Sequence, residues 1–141
     1  MGEIGVARTG HTLRTLLGSC LGLALYERRL QVGALAHIVL PESSGAPGPP
    51  GKYANTAIPA MLERLQTLTN GSRMRLEAKI AGGANMFATA DVGNSIGAQN
   101  TSAIIRALET HRIPIAGRHC GGEQGRKMTF DLTTGLVTID V

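Results

Sequence analysis

Apolar and polar positions along the chain change their spacing several times, and each change marks an element. Residues 3–9 and 12–17 read as two short strands. Leu21–Tyr26 and Gln31–Leu40 are apolar runs suited to strands, separated by the polar cluster Glu27-Arg28-Arg29, as in a hairpin. A turn centred between Arg28 and Arg29 pairs Tyr26 with Gln31, Ala24 with Gly33, Gly22 with Leu35 and Cys20 with His37. Residues 42–52, rich in Gly, Pro and Ser, form a loop. The spacing then becomes helical: Ala54, Ala57, Ile58, Met61, Leu62, Leu65 and Leu68 make one apolar face. Asn55 is the expected N-cap, Pro59 is expected in the first turn, and Asn70-Gly71 supplies the stop.

Met74–Ala81 reads as a strand ending at Gly82-Gly83, a tight turn that allows close packing near the site. No GxGxxG or Walker pattern follows it, so a phosphate cradle is not indicated. Gly97–His111 is a second helix with Ala98, Thr101, Ile104, Ile105 and Leu108 inward, and Asn94 or Ser95 as its cap. Residues 113–119, 126–132 and 136–141 complete the chain as strands, with Thr134-Gly135 at the last turn. Many strands with two main helices predict a single layered α+β domain over residues 1–141.

Composition narrows the function classes. With 43% hydrophobic and 17% charged residues the 141-residue chain can bury a sizeable core. Aromatics are 3%, so that core is aliphatic, and 19 glycines predict tight turns and close backbone approaches. The net charge of +4 is scattered and has no nucleic-acid motif beside it. The two cysteines fit neither a disulfide framework nor a metal-ligand spacing. No signal-peptide core or membrane-length apolar run is present, so a cytoplasmic protein with reduced thiols is expected.

The candidate chemistry lies at the first hairpin. Directly opposed residues across antiparallel strands are close enough for an imidazole to reach a thiol. A histidine beside a cysteine takes its proton and then stabilises the thiolate. A bend at Gly18-Ser19 would present Cys20 beside free backbone N–H groups, the elements of an oxyanion site. The structural alternatives are a cysteine acting as a small buried hydrophobe and a histidine satisfied in the core or at its rim. His119-Cys120 is a rival thiol, but adjacent strand residues point to opposite faces, so those two do not partner each other.

The blocks LLGSC at 16–20, GALAHIVLP at 33–41, GKYA at 51–54, LEAKIAGGANMF at 76–87 and IGAQN at 96–100 carry a resemblance, extended by GG at 121–122, Arg126 and TG at 134–135. In order and spacing they resemble CheD, the chemoreceptor glutamine deamidase family of bacterial and archaeal chemotaxis. The resemblance implies a layered α/β sandwich with a mostly antiparallel sheet. It also implies Cys20 as nucleophile toward a receptor glutamine, His37 as general base, and a threonine just upstream that orients the imidazole. Thr15 is the first candidate for that threonine and Thr12 the second. No cofactor or metal is implied. The implied partners are the cytoplasmic domain of a methyl-accepting chemoreceptor, as substrate, and a CheC-type phosphatase. Two departures from the family pattern are Gln99, where arginine is usual, and Cys120 before the GG pair. The competing readings are a non-catalytic adaptor for receptors or the phosphatase, and a cysteine hydrolase with another amide or ester target.

Overall fold

A computed structural model describes residues 2–43, 45, 47–86 and 95–141. The chain runs β1 (Ile4–Arg8), β2 (Thr12–Leu17), β3 (Leu21–Glu27), β4 (Val32–Ile38), α1 (Ala54–Leu68), β5 (Leu76–Gly82), α2 (Ile96–Thr110), β6 (Ile115–Cys120), β7 (Arg126–Asp131) and β8 (Val137–Asp140). A 3-10 turn at Pro50–Lys52 leads into α1. The strands form two sheets: five strands in the order β1-β4-β3-β5-β6, and three in the order β2-β7-β8. Among the described strands only β5 and β6 pair in parallel, and α2 lies between them in sequence, as a parallel connection requires.

Two hydrophobic clusters define three layers. Leu21, Leu23, Leu25, Ala34, Ala36 and Ile38 turn toward Ile58, Met61, Leu65, Ile104 and Leu108 of the helices. The alternate residues of the same strands, Ala24, Tyr26 and Leu35, pack with Leu17, Met128, Phe130 and Leu132 of the small-sheet region. The order is therefore helices, large sheet, small sheet. Strand β3, central and covered on both faces, is buried at all seven positions. This is the single-domain α+β sandwich expected, with the strands divided between two sheets.

The first hairpin departs from its expected register. Its loop is four residues long, Arg28–Gln31, closed by the pair Glu27 and Val32, with Gln31 at φ 51. An Arg-Arg pair does not supply the left-handed residues of a two-residue turn. The longer loop slips the pairing by two positions: Ala24 faces Leu35, and Gly22, not Cys20, faces His37. Because the side-chain period of a strand is two, this slip leaves His37 on the expected face.

Both helices begin differently from expectation. In α1 the N-cap is Tyr53 and not Asn55, because Ala54 is wholly buried and the Thr56 and Ala57 N–H groups already donate to the Tyr53 carbonyl. Asn55 instead accepts from Ser43 N–H at 3.0 Å. Pro59 consequently falls inside the helix and not in its first turn; it and Asn55 face outward, where the Asn55 carbonyl can meet water. In α2, Ser95 is the cap, accepting from Ala98 N–H at 3.1 Å, while Asn94 lies outside the described residues. Its buried stripe is Gly97, Asn100, Ala103, Ile104 and Leu108. Ala98, Thr101 and Ile105 are only half-buried, so the inward face is rotated from the expected one and includes a polar residue.

Candidate active site

The site forms where the chain crosses between sheets. Strand β2 ends in the small sheet at Leu17, residues 18–20 bend, and β3 begins at the centre of the large sheet. Cys20 is the last residue of that bend, half-buried against the inter-sheet cluster. His37, near the end of β4, lies on the same face of the large sheet as Leu35 and so faces the small sheet. Thr15 lies on the inward face of β2, with Leu13 and Leu17.

These placements bring Thr15 and His37 into contact, with Thr15 Oγ1 2.7 Å from His37 Nδ1. Thr12 is three residues away on the same strand, exposed, and on its opposite face. Of the two candidate threonines, Thr15 is therefore the one that meets the imidazole. When Nδ1 carries the proton and donates to Thr15, Nε2 is left with its lone pair. Cys20 precedes by two positions the residue that faces His37, so it lies diagonal to the imidazole and not opposite it. Glu3, Gly5, Leu13, Arg14, Thr15, Leu35 and His37 line a cleft of about 230 Å³. A larger cleft, about 680 Å³, is lined by Glu27, Arg28, Arg29, Arg73, Met74 and Arg75 at the opposite end of the β3–β4 hairpin, away from the thiol.

The bend holding Cys20 is fixed by its carbonyls. Gly18 accepts from Ala84 N–H at 3.0 Å and Cys20 from Gly83 N–H at 2.9 Å. Ser19 accepts from the Asn100 side-chain amide at 3.3 Å. Among the described residues, the Ser19 and Cys20 N–H groups donate no backbone hydrogen bond. The glycine latitude expected at Gly18 falls instead on Gly82 and Gly83, whose φ values are +102 and +65. A Cβ on Gly82 would lie 2.3 Å from the Cys20 carbonyl oxygen, and one on Gly83 would lie 2.5 Å from Thr101 Oγ1. The expectation of close packing at this glycine pair is therefore met.

Burial sets the resting protonation. Desolvation pushes the Cys20 thiol above its ordinary value and His37 below its own, so both charged forms are disfavoured. At neutral pH the groups rest as thiol and neutral imidazole, the state from which a histidine can act as base.

The rival thiol has a different setting. Cys120 ends β6, packs against the helix-side core and directs its sulfur toward the Ile80 carbonyl at 3.8 Å. His119 is held by the Arg126 guanidinium, which contacts its Nδ1 at 2.9 Å and its carbonyl at 2.7 Å. Arg126 also donates to the Gly121 and Gln124 carbonyls, so this buried arginine braces the 119–125 loop. Among the described residues no group of three or more His, Cys, Asp or Glu side chains could hold a metal ion. No described helix is long and apolar enough to cross a membrane.

Asn100 is the site residue that sequence reasoning missed. An asparagine in a helix reads as a solvent-facing residue or a cap. The available signal was its place at helical spacing with Gly97, Ile104 and Leu108.

Comparison with known proteins agrees with the resemblance in the sequence blocks. The family model described as CheD chemotactic sensory transduction matches residues 39–141. The probable chemoreceptor glutamine deamidase CheD of Methanococcus vannielii is 43% identical over 140 residues, covering 99% of this chain and 90% of that protein. The chemoreceptor glutamine deamidase CheD of Thermotoga maritima is 38% identical over 141 residues, covering 99% of this chain and 87% of its own length. That of Symbiobacterium thermophilum, also named a probable deamidase, is 44% identical over 128 residues, covering 87% and 77% respectively. The family-model match begins just after His37, whereas the alignments that cover 99% of the chain extend across the Cys20 and His37 segments.

Proposed function

Since the chain belongs to the CheD family, we propose that it is a protein-glutamine deamidase converting selected chemoreceptor glutamines to glutamate, with Cys20 as nucleophile. The observation carrying the mechanistic part is the Thr15–His37 hydrogen bond, formed beside a bend that presents a thiol. In this reading Thr15 accepts from Nδ1–H and holds Nε2 ready as base. His37 takes the Cys20 proton as sulfur attacks the side-chain amide carbon. The negative charge that develops on the amide oxygen is met by the N–H groups of Ser19 and Cys20. Collapse of the tetrahedral adduct breaks the C–N bond, and His37 returns the proton to the departing ammonia. Water, deprotonated by the same imidazole, then hydrolyses the thioester to give glutamate and the free thiol. No cofactor or metal enters any step.

The same reading has the enzyme work in the cytoplasm on the receptor's cytoplasmic domain, with a CheC-type phosphatase as further partner. The test is peptide mass spectrometry of a receptor cytoplasmic fragment after incubation with purified protein. The expected result is an amide-to-acid mass gain at defined glutamines, absent with Cys20→Ala and His37→Ala and retained with Cys120→Ala. A gain that survives Cys20→Ala would sink the mechanism. Receptor binding without any gain by the wild-type protein would favour an adaptor.

A further inference from the structure

Asn100 reaches both halves of the proposed site from a wholly buried position in α2. Its amide nitrogen donates to the Ser19 carbonyl at 3.3 Å and to the Val39 carbonyl at 2.9 Å. The first belongs to the peptide that joins Ser19 to Cys20; the second lies two residues beyond His37. Both partners are acceptors only, so the amide must present its NH2 group to them, and both of its N–H bonds are used. Its Oδ1 is buried with no hydrogen-bond partner among the described residues. An orphaned buried oxygen costs stability, so this asparagine is a poor choice for packing alone.

The peptide plane carries the consequence. In a trans peptide the C=O and N–H bonds point in opposite directions, and no cis bond occurs among the described residues. With the Ser19 carbonyl turned to Asn100, the Cys20 N–H is turned the other way, out of the helix-side interior. That N–H donates to no described backbone group. Helix α2 is also held close to the bend: a Cβ on Gly97 would lie 2.3 Å from the Gly83 carbonyl oxygen, and Gly83 N–H in turn holds the Cys20 carbonyl.

We propose that Asn100 is a positioning residue that orients the Ser19–Cys20 peptide, aiming the Cys20 N–H at the oxyanion of the tetrahedral adduct. The proposal rests on the deamidase reading above and adds to it a residue that touches neither substrate nor thiol. It separates two reactions of the same sulfur. Attack on an amide develops an oxyanion and needs the aimed N–H, whereas alkylation by iodoacetamide is a displacement at carbon that generates no oxyanion.

Asn100→Ala and Asn100→Ser would be compared with wild type, each carrying Cys120→Ala so that Cys20 alone reports. Thermal melts identify which variants are folded at the assay temperature, and serine keeps one donor should alanine fail to fold. The expected result is a loss in kcat for receptor deamidation on the order of 10- to 100-fold, below the full loss of an oxyanion donor, with KM little changed. Iodoacetamide alkylation of Cys20 and its pH dependence should stay close to wild type. Unchanged deamidation in a folded variant would overturn the proposal. Parallel losses in deamidation and alkylation would overturn it as well, because Asn100 would then act through the thiol or the fold. If the wild-type protein converts no glutamine, the deamidase reading itself falls and this inference with it.

Discussion

Thr15 matters to His37 through orientation as much as through attraction, because a free imidazole can rotate and exchange tautomers while one held at Nδ1 cannot. The 2.7 Å contact joins a small-sheet strand to a large-sheet strand. Thr15→Val keeps the shape and deletes the acceptor. The expected kcat falls about 10- to 100-fold, part of what general-base catalysis contributes. The acid limb of kcat/KM follows from burial of His37. Protonated His37 cannot act as base, and its pKa is pushed below the ordinary 6.5, so wild-type activity should persist below that pH before it falls. An accepting hydroxyl favours imidazolium, so Thr15→Val should move the limb lower still while lowering the plateau. A pH–rate series on both proteins checks the two effects together. At this scale Cys20 and His37 stood out because their residue types carry chemistry, and a two-position register error left His37 on the expected face. Thr15 entered only through the family resemblance, beside Thr12, and its contact with His37 is what separates the two. Asn100 was not legible, since its role depends on which carbonyls approach it from Ser19 and Val39, far away in sequence.

The β3–β4 hairpin shows how an element's ends decide its register. Its strands were legible from their apolar runs, but its turn was not, because the loop is closed by a side chain. The Glu27 carboxylate, almost wholly buried, accepts from Leu30 N–H at 2.7 Å and from Arg75 N–H at 3.3 Å. Burial, the largest single influence, raises its pKa, yet the Leu30, Arg75 and Arg29 N–H groups and the Arg29 charge together hold it below the usual 4.5. A carboxylate with a depressed folded pKa contributes stability above its unfolded pKa and loses that contribution as pH falls through the folded value. Glu27→Gln should therefore destabilise the protein by about 1.5–3 kcal/mol at neutral pH, the range for hydrogen bonds to charged groups. The gap to wild type should narrow as pH falls below the usual carboxylate range and the native carboxyl takes up its proton. Urea unfolding of both proteins across an acid pH series measures it. A gap independent of pH would mean that the turn needs the shape of Glu27 and not its charge.

Across the whole molecule the proposed site is an inter-sheet assembly: Thr15 comes from the small sheet, His37 from the large one, and Cys20 from the link between them. The packing between the sheets reaches this assembly at Met128. That residue, on β7, pairs with Thr15, and its sulfur lies 2.6 Å from where a Cβ on Gly22 would stand, Gly22 being the residue that faces His37. Phe130 is equally buried but lies farther along β7, stacked edge-on against Tyr26 at 5.8 Å. Truncating either residue should destabilise by similar amounts, about 2–5 kcal/mol for Met128→Ala and about 3–5 kcal/mol for Phe130→Ala. Their effects on catalysis should separate. Under conditions where both variants are folded, Met128→Ala lets Thr15 and His37 shift relative to each other and should lower kcat on the order of tenfold, as small misplacements do. Phe130→Ala should leave kcat near wild type. Equal activities in the two variants, at matched folded fractions, would mean that the large sheet and the carbonyl clamps around Cys20 align the site without the small sheet's help.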